Sequence, residues 1–321
     1  MAVYTKLDSA DGERIAGAHE LGQLRGIAPI AAGSVNSNYF LDTERGRWFC
    51  RIYEEQESDG VAYEWAVLGH LADHGLPVPV RVAGPAPGDV RVQGKPTAVF
   101  ELVGGAETCQ AGVTVARAAS VGAFLARAHR ALDDFPERRE GRFTTMDVRK
   151  RLDSAAAAGD AQLTPVISTV RGALDEVERD LPRDLPRGVI HGDLFRDNVR
   201  FDGDRIVAAI DWESASDEAR VYDIAVTLLA WCWGDDLDVQ LGRALAGAYV
   251  AARPLTGAER DALRLSAMAA AARFTTTRIT DFHLRGDAGG TRVMKDYRRF
   301  LARLERVTAM SSDEFATTLG I

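Results

Sequence analysis

The sequence reads as an α+β protein of two lobes, a small one of strands with one main helix and a larger, mostly helical one. Three observations carry that reading. Short runs rich in aromatic and β-branched residues crowd the first hundred positions, and apolar residues recur at helical spacing through most of the remainder. The change of character falls at Gly104-Gly105, which bounds the lobes as 1–104 and 105–321. A chain of 321 residues, 46% of them hydrophobic, has ample material to bury cores of that size.

In chain order, 38–42, 47–53 and 96–103 are the expected strands of the first lobe. Between the last two, Val61, Trp65, Leu68 and Leu71 recur at three- or four-residue spacing and define an amphipathic helix. Gly75 is placed to cap it, and Pro77 and Pro79 stop its continuation. Past the break, Val121, Leu125, Ala128 and Leu132 form one helical stripe and Val166, Val170, Leu174 and Val177 another. Thr164 is the expected N-cap of that second helix, with Pro165 in its first turn. Thr256 and Glu259 give a capping box before a long helix running through Arg273 toward Phe282. Residues 133–160 are charged and Ala-rich with weak periodicity, which predicts a loop and a short helix. No internal repeat or low-complexity segment is visible.

Chemistry concentrates in residues 191–213, HGDLFRDNVRFDGDRIVAAIDWE. Asp193 follows a His-Gly pair, Asn198 comes five residues later, and Asp211 closes an apolar, strand-like run at 205–210. One carboxylate to orient a hydroxyl nucleophile and two oxygen ligands for Mg²⁺ are the minimum equipment for phosphoryl transfer. The Asp-to-Asn spacing is that of the protein-kinase catalytic loop, with Gly192 in place of its arginine. Asp202-Gly203 is expected to join 198–201 to 205–210 as a two-residue hairpin loop of type I′. Asp and Asn are common in turns because they bond their own backbone. Chance explains poorly the whole string of strand, loop, hairpin and exit acid.

The stretch GVIHGDLFRDNVRFDGDRIVAAIDWESASDEARVYDIAVTLLAWCW resembles the aminoglycoside phosphotransferase-like kinases, a superfamily that also holds choline, hydroxylysine and homoserine kinases. Within it, the opening MAVYT, the loop IAAGSVNSN, the strings HGDLFRDN and YDIAVTLLAWCW and the late RFTTTRITDF are most similar to the bacterial homoserine kinases of the phosphotransferase type. The resemblance runs nearly end to end. It implies a bilobal protein-kinase-like fold with an antiparallel small sheet, ATP and Mg²⁺ as cofactors, and a small-molecule hydroxyl as acceptor. The acceptor it implies first is L-homoserine, phosphorylated on the way to threonine. Asp193 is then the catalytic residue, Asn198 and Asp211 are the metal ligands, and His191 and Asp223 support the loop.

For the nucleotide, Gly33, Ser34 and Asn36 lie in a turn before a strand, where small residues let backbone N–H groups approach phosphate oxygens. This turn lacks the G-x-G-x-x-G pattern, so its assignment rests on position and resemblance. The strand lysine of related kinases is missing. Arg51 stands there, as in the R-I-Y form of choline-kinase-like members, and Glu64 on the following helix is its expected partner. Glu101 and Val103 would offer backbone groups to adenine. An exposed arginine, a solvated acid and an ordinary buried strand are the plain structural readings of the same residues.

For the acceptor, Arg273, Thr277 and Asp281 at i, i+4 and i+8 share one helix face, with Arg278 one residue round. That segment could supply a cation for a carboxylate and an acid for an ammonium group, and an intrahelical ion pair fits it equally. Trp231 and Trp233 either wall a pocket or pack in the core. The acids Asp217, Glu218, Asp235, Asp236 and Asp238 suit either a solvated loop or a polycationic aminoglycoside. That acceptor, or another small alcohol such as choline or hydroxylysine, is the alternative enzyme reading. An inactive nucleotide-binding regulator is the alternative outside enzymes, and the retention of Asp193, Asn198 and Asp211 together argues against it.

A net charge of −8 and a pI of about 5.4 disfavour nucleic acid and anionic membranes as partners. The first residues carry charges without an apolar signal core, and no run approaches the ~18 apolar residues of a membrane span, so the expected location is cytoplasmic. Cys50, Cys109 and Cys232 lack metal-ligand spacing, and Cys50 and Cys232 lie in apolar runs as reduced core fillers. The sequence leaves the oligomeric state open.

Overall fold

The computed structural model of the protein describes residues 4–30, 35–103, 109, 112–285 and 295–321. Gly33 and Ser34 of the expected phosphate turn and the Gly104-Gly105 break lie outside the described residues. The chain divides into two compact units, with the division after the N-terminal part at Ala106/Glu107.

The first unit contains α1 (Ser9–Ala18), β1 (Leu24–Ile30), β2 (Ser37–Thr43), β3 (Gly46–Ile52), α2 (Ser58–Asp73), β4 (Arg91–Val92) and β5 (Lys95–Phe100). The strands make one antiparallel sheet in the order β1-β2-β3-β5-β4. Pairing aligns Tyr39, Cys50 and Val99 in a row on one face, where they pack with Ile15 and Ala16 of α1. Alternation along the strands places the next row, Asn38, Arg51 and Ala98, on the other face. Helix α2 buries Val61, Trp65, Leu68 and Leu71, and Gly75 follows it with φ +68°, the left-handed geometry that ends a helix.

Two departures from the expected elements have local causes. Helix α1 and strand β1 were not anticipated, since α1 buries only Gly12, Ile15 and Ala16 and β1 contains Gly26 and Pro29. The expected strand 96–103 ends at Phe100. There the chain pairs with the 80–82 stretch through an Arg81–Phe100 bridge and a bond from the Glu101 N–H to the Val80 carbonyl.

The second unit contains α3 (Val115–Ala131), α4 (Thr145–Ala157), α5 (Leu163–Asp180), β6 (Arg187–Ile190), β7 (Val199–Asp202), β8 (Arg205–Ala209), β9 (Ser216–Ala219), α6 (Arg220–Trp231), α7 (Val239–Ala252), α8 (Gly257–Arg278), α9 (Arg298–Thr308) and α10 (Ser312–Leu319). Both expected stripes are buried, and the Thr256–Glu259 capping box opens α8. The segment 133–160 holds a loop and α4, itself opened by a Thr144–Asp147 capping box. Thr164 is not the cap of α5. A turn anchored on Asp160 starts the helix at Leu163, behind a Gln162 cap that makes no side-chain bond. The β7–β8 hairpin pairs Asp202 with Arg205, so its loop is Gly203-Asp204. Only Gly203 of that loop has a positive φ, whereas type I′ needs one at both positions. Among the described residues, no helix is long and apolar enough to cross a membrane.

Candidate active site

Strand β6 delivers the chain to His191-Gly192-Asp193 and β9 takes it away again, with Ile190 paired to Ser216. The site is therefore a long excursion pinned at its base by a two-stranded ladder. Within it, the Asn198 Nδ2 donates to the Asp193 carbonyl at 2.8 Å, and the Ile210 N–H donates to the Asn198 carbonyl at 2.8 Å. These two bonds bring the segments carrying Asp193, Asn198 and Asp211 together. Asp211 has φ 69° and ψ 59°, a left-handed conformation uncommon outside glycine that Asp adopts more readily than most residues. Arg139 holds the next stretch by donating to the carbonyls of Glu213 and Ala215, each at 2.6 Å.

Asp223, fully buried in the first turn of α6, anchors the loop. Its two oxygens accept from the N–H groups of His191 and Gly192, both at 2.8 Å. His129 Nε2 lies 3.1 Å from the same carboxylate, and His129 Nδ1 lies 2.7 Å from the Tyr249 hydroxyl. Tyr249 in turn accepts from Arg253, which ion-pairs with the buried Glu259 at 2.9 Å. Burial alone would raise the Asp223 carboxyl, but the His129 bond and neighbouring donors outweigh it and hold the group below its usual range. Burial lowers both His129 and His191. Neutral rings fit the network: His129 Nε2–H donates to Asp223, and His191 Nε2–H donates to the Ile210 carbonyl at 3.1 Å.

Asp193 is partly exposed, and burial of its surroundings pushes its carboxyl up to about 7, against the pull of Arg273 and Lys295. Arg278 senses the charges of Asp193 and Asp197, although burial is the main cause that lowers it to about 10. Three cations and two further acids, Asp211 and Asp197, therefore share the electrostatic field of Asp193. Lys295 and Asp197 escaped the sequence reading because a single charged residue in a loop carries no pattern.

The remaining candidates fall into place separately. Arg273 is 6% exposed, and its guanidinium donates to the Gly192 carbonyl at 2.9 Å and the Tyr222 hydroxyl at 3.3 Å. It is packed between the rings of Phe143 and Phe274. Asp281 lies in a π-helical turn, Ile279–His283, that breaks the i, i+8 register with Arg273, and it pairs with Arg151 at 2.9 Å instead. In the first unit, Arg51 and Glu64 form an ion pair at 3.6 Å on the face opposite Cys50, and Asn36 accepts from the Glu54 N–H. The Glu101 N–H is spent on Val80, which leaves its carbonyl, while Val103 lies beyond the strand end.

Trp231 is core: fully buried, it donates from Nε1 to the Leu194 carbonyl. Four of the five clustered acids serve different elements. Asp217 and Glu218 pair with Arg187, Asp236 pairs with Arg306, and Asp238 caps α7. A cavity of about 110 Å³ is bounded by residues of α4, α5 and α8, with Gly192 and Tyr222 among its walls. Asp193 is not among the residues that bound it.

A model of the phosphotransferase enzyme family matches residues 26–257. The chain belongs to that family. A homoserine kinase of Nitrobacter hamburgensis is 38% identical over 310 residues, covering 95% of this chain and 94% of that protein. Among solved structures, an amicoumacin kinase in complex with AMP-PNP and Ca²⁺ matches with a TM-score of 0.72 at 17% identity, over 96% of this phosphotransferase and 97% of that chain. A choline kinase from Streptococcus pneumoniae matches with a TM-score of 0.66 at 16% identity, over 94% and 100% of the two chains. The family expected from HGDLFRDN and its companion strings is thus met, and so is the α+β kinase-like fold. This phosphotransferase acts on a hydroxyl group of a small molecule, as its family and homoserine kinase relatives establish.

Proposed function

We propose that this phosphotransferase moves the γ-phosphoryl group of ATP to the side-chain hydroxyl of L-homoserine, giving O-phospho-L-homoserine and ADP. One observation carries the reading: 38% identity along 95% of the chain to a protein named homoserine kinase. The cations around Asp193 support it, since Arg278 and Lys295 suit an acceptor that bears a carboxylate and repel a polycationic aminoglycoside.

In this mechanism, Asp193 accepts the hydrogen bond of the acceptor hydroxyl and aligns its oxygen with the γ-phosphorus. A carboxyl raised to about 7 stands close to neutral pH, where a group can both hold and take a proton. Arg273 positions rather than binds: its bond to the Gly192 carbonyl fixes the peptide preceding Asp193. Asn198 and Asp211 fit Mg²⁺. They offer hard oxygen donors, and the Asn198 Nδ2 is already committed to the loop, which leaves its Oδ1 for a ligand. When bound, the ion neutralises charge on the phosphates.

Arg51, held by Glu64, is assigned to the α- and β-phosphates. Asn36, with Gly33 and Ser34, is assigned to the phosphate turn, and the Glu101 carbonyl and Val103 to adenine. Asp281, committed to Arg151, yields the acceptor's ammonium group to Asp197. The test is ATP consumption, with and without Mg²⁺, against homoserine, choline, hydroxylysine and an aminoglycoside. Homoserine should be preferred by at least about tenfold in kcat/KM. Turnover of another acceptor alone would retain the transferase and refute homoserine.

A further inference from the structure

Arg278 at the end of α8 belongs to a group of arginines that extends onto α9, and the account so far leaves the rest of that group unused. Arg278 and Arg303 stand 4.3 Å and 4.4 Å from the centroid of the Phe300 ring. Arg303 is 5% exposed, and its Nε has no hydrogen-bond partner among the described residues. Among the described residues, Arg278 bonds only the Asp296 carbonyl, and Arg196 bonds only the carbonyls of Ala230, Trp231 and Trp233. Among the described residues, none of Arg196, Arg278, Arg299 and Arg303 forms an ion pair. They repel one another: after burial, the charges of Arg278, Arg299 and Arg196 are what lower Arg303 to about 9. Withdrawing a guanidinium from water without a counter-charge is strongly unfavourable. A chain that does so beside three other arginines has a standing demand for an anion.

The aromatic residues say where that anion belongs. Phe195, two residues after Asp193, packs against Phe274 with centroids 4.8 Å apart, and Phe274 packs against Phe300 at 5.1 Å. Phe195 and Phe300 are themselves 5.8 Å apart. The three rings pack mutually into one apolar cluster that joins the catalytic loop to the arginines. Arg278 lies against the Phe300 ring and senses the Asp193 charge. A small molecule with a hydroxyl at Asp193 and an anionic head toward Arg278 and, behind it, Arg303 would meet each group with matching chemistry.

We propose that the arginine cluster around Phe300 holds the carboxylate of the acceptor, so that the enzyme selects small hydroxy-carboxylates, with Arg278 and Arg303 as the contacts. The proposal rests on the reading of the acceptor as homoserine and specifies the end by which it is held. A phosphoryl oxyanion has related chemistry, so the test separates the two.

The test follows thermal unfolding of the full chain at fixed ionic strength with 4-hydroxybutanoate, 3-aminopropan-1-ol or inorganic phosphate. The first keeps the carboxylate of homoserine without its ammonium group, and the second keeps the ammonium without the carboxylate. Saturating 4-hydroxybutanoate should raise the Tm of the parent by about 2 °C or more. It should leave Arg303→Met unmoved, and 3-aminopropan-1-ol should shift neither. In steady state, Arg303→Met should raise the homoserine KM about tenfold or more with the ATP KM unchanged, and Arg303→Lys should recover part of the loss. No stabilisation of the parent by 4-hydroxybutanoate would overturn the proposal, as would equal stabilisation of parent and Arg303→Met. Stabilisation by phosphate but not by the carboxylate would also overturn it, in favour of a phosphoryl site. Because unfolding needs no turnover, an Arg303-dependent shift in an enzyme that ignores homoserine would refute homoserine and leave the carboxylate site standing.

Discussion

Asp223 and Arg303 are both withdrawn from solvent, at 0% and 5% exposure, and their surroundings are opposite. Asp223 receives two backbone N–H groups and a histidine, and that histidine is held by a tyrosine that an arginine–glutamate pair holds in turn. Arg303 receives an aromatic face and the repulsion of its neighbours. A buried charge that is fully bonded specifies one backbone geometry and has nothing left to offer a ligand. A buried charge without a partner destabilises the empty protein and gains when an anion arrives. Asp193 lies nearer the second kind: it is a carboxyl pushed up to about 7 by burial, with cations in its field but no ion pair among the described residues.

If that distinction is correct, function and stability should separate at Asp193. Asp193→Asn should lower turnover by roughly 10³-fold, within the range assigned to a positioned acid or base. It should also stabilise the fold above neutral pH. A carboxyl whose folded pKa exceeds its unfolded value is protonated in both states below about 4, so nothing is lost there. Between that pH and about 7 its ionisation increasingly opposes folding, by at most about 4 kcal/mol. The Tm of Asp193→Asn should therefore exceed that of the parent at pH 8 and equal it near pH 4. Equal Tm values at pH 8 would place Asp193 in a setting no harsher than water.

Asp223→Ala should do the reverse and cost both properties. Removing the carboxylate leaves two buried N–H groups and the His129 ring without their acceptor. Breaking a buried charged network costs about 3–5 kcal/mol, which in a chain of this size lowers Tm by roughly 10 °C. A variant melting within about 2 °C of the parent would show that the β6–β9 ladder alone holds the loop.

The same contrast explains what was legible in the sequence. The His-Gly-Asp spacing, the apolar stripes of α2, α3 and α5 and the capping box of α8 are local patterns, and local patterns are what a sequence records directly. The π turn that moves Asp281 onto Arg151 has no such signature, because RFTTTRITD continues a helical pattern without a break. Gly203-Asp204 rather than Asp202-Gly203 became the hairpin loop because pairing register is set by both strands together. Helix α9, read as RRFLARLERV, has the charge density of a solvated face. Only the tertiary packing of Phe300 against Phe274 and Phe195 withdraws Arg303 from water. His129 and Tyr249 sit 120 residues apart, beyond the reach of any motif.

Arg273 lies between the two extremes, since it is buried and bonded to the loop while its charge also acts on Asp193. Arg273→Met should remove a charge-assisted bond to the Gly192 carbonyl worth about 1.5–3 kcal/mol, a fall of roughly 10- to 100-fold in kcat. The homoserine KM should stay close to that of the parent, in contrast to Arg303→Met. A rise in KM with kcat preserved would return Arg273 to the acceptor and blur the distinction between anchoring and binding groups.

The smallest effect is the most discriminating, because its sign is unusual. Truncating a buried residue normally destabilises a protein through lost packing. Arg303→Met keeps an apolar side chain of similar length and removes a guanidinium that has the Phe300 ring but no ion pair among the described residues. Exchanging buried charge for well-packed apolar volume is often neutral or stabilising by about 1–4 kcal/mol, and here no counter-ion is stranded by the change. The ligand-free variant should therefore melt at or above the parent temperature between pH 5 and pH 8, a range in which a group lowered only to about 9 stays protonated. Added 4-hydroxybutanoate should narrow the difference by stabilising the parent alone. A clear loss of stability in the ligand-free variant would mean that Arg303 is bonded in solution after all. It would then belong with Asp223 among the groups that hold the fold.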